Sequence, residues 1–226
     1  MRMRKKKNLE PRLAAVSDYL LDATSDDPNA KTAVLEKAYY DYEAIFGNDR
    51  PVWLEIGCGK GQFIAELAKR HPENNYIAVE KVSNVIVMAA ERAKENGLPN
   101  VKFAMCGAEY LPKFLPDRSI AGIYLNFSCP YPKNTYANRR LTNARFLAIY
   151  KDLLAPGAKI FQKTDNMHFF EYSIEEFSKA GFRLENISLD LHHSGIEDNI
   201  VTEYEHRFAS QGSPIYRLEA YLPEES

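Results

Sequence analysis

The chain has 226 residues, enough for one large domain with a buried core, and its 45% hydrophobic and 27% charged residues exclude a disordered chain. Its formal net charge of −2 at pH 7 excludes a uniformly basic nucleic-acid-binding body. No apolar run reaches the length that crosses a bilayer, and the three cysteines, Cys58, Cys106 and Cys129, are too few and too scattered for a disulfide framework or a zinc site.

Charge is unevenly spread. Residues 1–12 carry Arg2, Arg4, Lys5, Lys6, Lys7 and Arg12 against Glu10 alone, so a basic arm precedes an acidic body. Such an arm binds phosphates through counterion release, or is simply a solvated terminus. No hydrophobic segment follows it, so it reads as neither a signal peptide nor a membrane anchor, and with the unpaired thiols this points to the cytoplasm. Residues 1–31 are read as a basic arm and helical extension, with SDDPNAK (Ser25 to Lys31) as a turn, and residues 32–226 as the main domain.

Thr32 to Phe46 predicts a helix with one apolar face, closed by Gly47. Beyond it, strand-length apolar runs alternate with helical segments: Val52 to Ile56 then Gln62 to Arg70, and Tyr76 to Val79 then Asn84 to Asn96. Strands at Val101 to Met105 and Ile120 to Phe127 enclose a short helix around Glu109 to Phe114. A helix from Asn143 to Leu154, a strand from Lys159 to Lys163 and a helix from Phe169 to Ala180 follow. Phe182 to Leu191 and Ile215 to Tyr221, with a long polar connection between them, read as a closing antiparallel hairpin. The alternation predicts an α/β fold, a mostly parallel seven-stranded sheet with helices on both faces.

EIGCGKG (Glu55 to Gly61) sets glycines at 57, 59 and 61 directly after a strand, where the backbone turns sharply and a ligand can approach a helix N-terminus. The spacing is GxGxG, not the GxGxxG of dinucleotide binding, and Glu55 beside it would repel a pyrophosphate. A carboxylate there suits a cofactor with an ammonium or sulfonium group. Glu80 closes the next strand, 19 residues beyond Gly61, where a carboxylate accepts hydrogen bonds from ribose hydroxyls. Together these favour S-adenosylmethionine over a purely structural turn.

Tyr124 to Thr142 (YLNFSCPYPKNTYANRRLT) begins as a strand end, breaks at Pro130, Tyr131 and Pro132, and then carries Lys133, Arg139 and Arg140. Prolines end a strand and fix the loop after it, so these basic side chains are held at the strand's carboxyl end, where open α/β sheets bind ligands. Taken alone, a rigid turn and a solvated basic helix start would explain the segment.

Over nearly its whole length the chain resembles the bacterial tRNA (guanine-N7)-methyltransferase family. The matching segments are FGNDRPVWLEIGCGKGQFI (Phe46 to Ile64), YIAVEK (Tyr76 to Lys81), IYLNFSCPYPK (Ile123 to Lys133), RRLT (Arg139 to Thr142), KTDN (Lys163 to Asn166), FFEYS (Phe169 to Ser173), LDLHHS (Leu189 to Ser194) and NIVTEYEHRF (Asn199 to Phe208). The resemblance implies a Rossmann-like methyltransferase fold with S-adenosylmethionine as cofactor. It also implies tRNA as partner, no membrane or metal, and a monomer or homodimer that methylates N7 of a guanine in the tRNA variable loop.

By the same resemblance, Glu55, Gly57 and Gly59 hold the methionine part of the cofactor and Glu80 its ribose. Gly107 and Ala108 flank the adenine, with backbone or Glu109 standing in for the acid that the family often has at 107. Lys133, Asp165, Thr202, Glu203, Tyr204 and Glu205 match substrate-binding positions, and Arg139 and Arg140 are expected on RNA phosphates. Each has a structural alternative: a solvated charge for Lys133, a helix cap for Asp165, one face of a short strand for Glu203 and Glu205. The family's Asp-Pro-Trp-Pro reads Cys129, Pro130, Tyr131, Pro132 here. Cys129 thus stands where an acid would orient the guanine or the cofactor, and it is read with Asp165 as a retuned catalytic position and not as a nucleophile. His192 and His193 are read as structural. A cofactor-binding relative acting mainly as an RNA-binding module, and a methyltransferase with a changed substrate, stay open as alternatives.

Overall fold

In the computed structural model, which describes residues 8–223, the chain divides into two units, Met1–Phe114 and Leu115–Ser226. The first contains α1 (Leu9–Ala15), β1 (Leu20–Leu21), α2 (Ala30–Ala33), α3 (Tyr42–Phe46), β2 (Val52–Ile56), α4 (Gln62–Arg70), β3 (Asn75–Val79), α5 (Ser83–Glu95), β4 (Val101–Ala104) and α6 (Leu111–Phe114). Its strands lie in the order β1-β4-β3-β2, all parallel. Every residue of β3 is buried, as a central parallel strand requires. α4 buries Phe63, Ile64, Leu67 and Ala68 on one face and ends on Lys69 and Arg70, which suit the negative end of a helix.

The second unit contains β5 (Ile120–Asn126), α7 (Ala144–Leu153), β6 (Leu154–Thr164), α8 (Met167–Lys179), β7 (Arg183–Ser188), α9 (Glu203–Ala209) and β8 (Tyr216–Tyr221). Here the order is β5-β6-β8-β7, with β5 and β6 parallel and β8 antiparallel to both of its neighbours. Tyr150, Phe170 and Phe177 are fully buried in this unit, each worth roughly 1.5 to 3 kcal/mol of apolar transfer.

The α/β pattern, the parallel strands and the closing hairpin are those expected, with local differences, among them a β6 that starts at Leu154 and not Lys159 and a β7 that ends at Ser188, short of Leu191. The helix expected over Thr32 to Phe46 is two short helices. Between them Ala38 and Tyr40 donate their backbone N–H groups to the carbonyls of Lys113 and Phe114, both at 2.8 Å, and the Tyr40 ring stacks on Phe114 with centroids 5.5 Å apart. These tertiary bonds outweigh a helical propensity already weakened by Tyr39, Tyr40 and Tyr42. An eighth strand, β1, pairs Leu20 with Phe103 and Leu21 with Ala104, so part of residues 13–31 joins the sheet of the first unit. The long polar connection before β8 holds α9.

Of the basic arm, Arg2 to Lys7 lie outside the described residues. Arg12 falls in α1 and pairs with Glu91 at 2.6 Å, so its charge is engaged within the fold and not held ready for RNA.

Candidate functional site

In the first unit the chain leaves β2 at Ile56 and turns back into α4 within five residues. Gly57, Gly59 and Gly61 have φ of 81°, 57° and 73°, a left-handed backbone that a Cβ opposes. The N–H groups of Gly57 and Cys58 both donate to the Val79 carbonyl, at 2.8 and 3.1 Å, which locks the turn to β3. A Cβ on Gly61 would lie 2.6 Å from the Ala89 Cβ, because α4 and α5 touch there, whereas around Gly57 and Gly59 it would meet nothing within 4 Å. The last glycine therefore serves packing, and the first two leave bare backbone facing open space.

Two carboxylates converge on this turn. Glu55 is 2% exposed at the end of β2, and Glu80, just after β3, accepts the Val82 N–H at 3.0 Å. The buried Cys58 thiol lies close to both: burial first, then Glu55 and Glu80, push it well above its ordinary value. This donor set disfavours a pyrophosphate and fits a group with a cationic head and a ribose diol. At Gly107 a Cβ would fall 2.5 Å from Glu109 Oε2, so the Glu109 carboxylate folds over Gly107. Ala108 is buried beside it.

Cysteine chemistry checks this burial. Cys106 is raised to about 12 by burial and Glu109, and Cys58 and Cys106 are both buried, while Cys129 is exposed. Native protein treated with iodoacetamide near pH ~8 is expected to gain a single label, at Cys129, and full labelling only in denaturant. Early labelling of Cys58, read by peptide mass mapping, would contradict the closed turn.

In the second unit the expected substrate residues separate into three groups. Cys129, Asp165 and Tyr204 come together: burial and then Asp165 raise the Tyr204 phenol, Arg207 opposes them, and Cys129 adds to the rise. Tyr204 is 47% exposed, and its ring lies 5.0 Å from the Phe127 ring and 4.6 Å from that of Phe208. Asp165 does not cap α8. Asn166 does so, accepting the Phe169 N–H at 2.8 Å, so the half-buried Asp165 carboxylate is not committed to the helix.

Thr202 and Glu205 form the second group, behind the first. They make a capping box at the start of α9, in which the Thr202 hydroxyl accepts the Glu205 N–H at 2.9 Å and the Glu205 carboxylate reaches back to the Thr202 N–H. Glu205 is fully buried, and its oxygens also accept from Lys163 Nζ at 2.8 Å and Asn199 Nδ2 at 2.6 Å, with His192 Nε2 at 3.1 Å. The short strand considered at Glu203 and Glu205 is thus the first turn of a helix. Glu205 is committed inside the fold instead of reaching for a guanine, and Glu203 and Tyr204 are exposed.

Lys163 carried no expected role beyond lying in the KTDN match. Its ammonium, 6% exposed as a residue, also donates to the Ile200 carbonyl at 2.9 Å and Asn199 Oδ1 at 3.0 Å, while its own carbonyl accepts the Phe127 N–H at 2.8 Å.

The third group is the basic one. Lys133 and Arg139 are exposed, with the Arg139 guanidinium 5.0 Å over the Tyr136 ring. Arg140, expected on a phosphate, is 8% exposed and turned inward. Its Nε and Nη2 donate to the Pro130 and Tyr131 carbonyls, each at 3.0 Å, and its guanidinium stacks 4.3 Å over Tyr172. His193 pairs with Asp190 at 2.9 Å. Among the described residues there is no His, Cys, Asp or Glu cluster suited to a metal, and no helix is long and apolar enough to cross a membrane.

Comparison with known proteins bears on what these groups serve. Residues 49–218 match the family described as "Putative methyltransferase". A protein named tRNA (guanine-N(7)-)-methyltransferase from Geobacillus kaustophilus (strain HTA426) is 43% identical over 223 residues, which cover 99% of this chain and 98% of that relative. The chain belongs to the tRNA (guanine-N7)-methyltransferase family. Another member, from Listeria monocytogenes serovar 1/2a, is 49% identical over 179 residues, 79% of this chain and 84% of that relative. Among solved structures, the 16S rRNA methyltransferase KamB matches with a TM-score of 0.58 at 16% identity over 81% of this chain and 93% of that one. A precorrin-6y C5,15-methyltransferase from Geobacter metallireducens GS-15 matches with a TM-score of 0.54 at 14% identity over 98% and 95%. At such identities the likeness is one of fold, the Rossmann-like methyltransferase fold. For a tRNA (guanine-N7)-methyltransferase, this chain's Cys129 remains the conspicuous departure in the loop after β5.

Proposed function

We propose that this protein transfers the methyl group of S-adenosylmethionine to N7 of a guanosine in the variable loop of tRNA. The observation that carries the reading is 43% identity, along 99% of the chain, to a relative named for this reaction. The turn at Gly57 and Gly59, open above and flanked by two carboxylates, supports the choice of cofactor. Glu55 would face its cationic end, Glu80 would accept its ribose hydroxyls, and Gly107, Ala108 and Glu109 would border its adenine. A tRNA substrate goes with a cytoplasmic setting, in keeping with three cysteines that are all free thiols.

When bound, the cofactor supplies a methyl carbon activated by positively charged sulfur, and that charge passes to the guanine ring as the methyl moves to N7. Guanine N7 has a lone pair and no proton, so the chain needs no general base. Its residues serve placement and electrostatics. Asp165, beside the exposed Tyr204 ring, would take the guanine's N1 and N2 donors and stabilise the growing positive charge, with Tyr204 and Glu203 bordering the base. Lys133 and Arg139 would meet phosphates, and Cys129 would line the base without forming a covalent bond.

The test is incubation of purified protein with labelled S-adenosylmethionine and unmodified tRNA, followed by reduction and aniline cleavage to map N7-methylguanosine. Cleavage at one variable-loop guanosine is expected. No cleavage at any guanosine with cofactor binding intact would defeat the proposal, and label in another base would point to a changed substrate.

A further inference from the structure

We infer that Arg140 is a positioning residue that holds the loop from Phe127 to Pro132 in a strained shape, and not a contact to RNA; the inference builds on the methyl-transfer reading above. Both ends of this loop are left-handed. Phe127 has φ of 50° and Tyr131 φ of 42°, and a bulky aromatic residue persists there only where its surroundings hold it. Pro130 and Pro132 have no N–H to donate, so carbonyls are the loop's main handles.

Each end is gripped from a different element. At the first, the Phe127 N–H donates to the Lys163 carbonyl of β6 at 2.8 Å. At the second, one guanidinium donates to two successive carbonyls, those of Pro130 and Tyr131, both at 3.0 Å. A planar fork can fix two acceptors at once, and a lysine cannot. The fork is itself seated. Tyr172 of α8 lies 4.3 Å beneath it, and the Tyr172 hydroxyl accepts from Asn143 Nδ2 at 2.8 Å, while Asn143 is the N-cap of α7.

What little of Arg140 stays accessible borders a groove of about 500 Å³ whose lining also includes Glu171 and Glu175, poor company for a phosphate. Its neighbour Arg139 is exposed and forms no such grip. Adjacent arginines therefore have separate tasks. Ser128 and Cys129 lie between the two gripped ends, so the direction of the position where the family carries its acid depends on Arg140.

Three measurements on Arg140→Gln, Arg139→Gln and Tyr131→Gly test this, with Arg140→Lys, which keeps the stem and charge but loses the fork, standing in should the glutamine variant unfold. Iodoacetamide labelling of Cys129 without tRNA or cofactor is expected to speed up roughly several-fold in the Arg140 variants and not in Arg139→Gln. That readout is independent of methyl transfer, so it separates a failed clamp from a failed assignment of function. In tRNA binding, Arg139→Gln should flatten the dependence of log affinity on log salt by about 0.9, and the Arg140 variants should leave that slope unchanged. Turnover should fall about tenfold in the Arg140 variants at constant cofactor KM. In the Tyr131→Gly background, where glycine accepts the left-handed turn freely, the same penalty should shrink to about threefold or less. An unchanged Cys129 labelling rate, a salt slope flattened as in Arg139→Gln, or an equal turnover penalty in both backgrounds would each overturn the inference.

Discussion

Lys163→Met is expected to destabilise the fold by about 3 to 5 kcal/mol and to collapse turnover with it. Lys163 and Glu205 are 6% and 0% exposed, so the pair has surrendered nearly all of its hydration and persists because every charge is met. The ammonium has the Glu205 carboxylate, the Ile200 carbonyl and the Asn199 amide oxygen around it, and the carboxylate has Asn199 and the Thr202 N–H besides. Methionine fills the volume but leaves a buried anion with neutral donors and the His192 imidazole at 3.1 Å, and no ammonium. The cost is a large share of a typical stability of about 5 to 15 kcal/mol. Function should suffer separately, since the same residue closes the start of α9 and so seats the Tyr204 ring. Urea melts would read the loss as a lower midpoint at unchanged slope. Adding Glu205→Gln should return most of the stability, because neutral partners leave no stranded charge. Additive losses in the double variant would show that the two groups do not act as a pair.

How far such features can be read from sequence depends on how local their causes are. The helix over Gln62 to Arg70 is found where its periodicity set it, and the turn before it is legible because a left-handed backbone at Gly57, Gly59 and Gly61 demands glycine. α9 had a local signature too, since Thr202 and Glu205 stand at capping-box spacing, yet in isolation that pattern does not distinguish a helix start from a polar loop. What completes it is Lys163, 42 residues earlier in the chain, and no periodicity reports such a partner. The segment from Thr32 to Phe46 failed for the same reason, with Lys113 and Phe114 supplying the bonds that end its helix. Two adjacent arginines look interchangeable in a sequence. Only packing reveals that Arg140 lies under Pro130 and Tyr131 while Arg139 faces water.

Asp165→Ala is expected to lower turnover about 10- to 100-fold with cofactor affinity nearly unchanged. A hydrogen bond to a charged group is worth about 1.5 to 3 kcal/mol, and if that is expressed in the transition state it amounts to about one to two decades of rate. The prediction is clean because Asp165 is not the cap of α8; Asn166 keeps that bond, so removing the carboxylate should leave melting almost unaltered, unlike Lys163→Met. Equal losses of turnover and cofactor affinity would move Asp165 to the cofactor's side. The companion variant is Cys129→Asp, which restores the carboxylate of the family pattern beside Asp165 and Tyr204. Since N7 needs placement and no proton acceptor, the variant is expected to preserve or raise turnover. A large fall would mean that the added carboxylate repels Asp165 more than it helps the guanine, or that Cys129 has a role of its own. Cys129→Ser separates these, because it introduces no charge and should retain turnover under the first reading and lose it under the second.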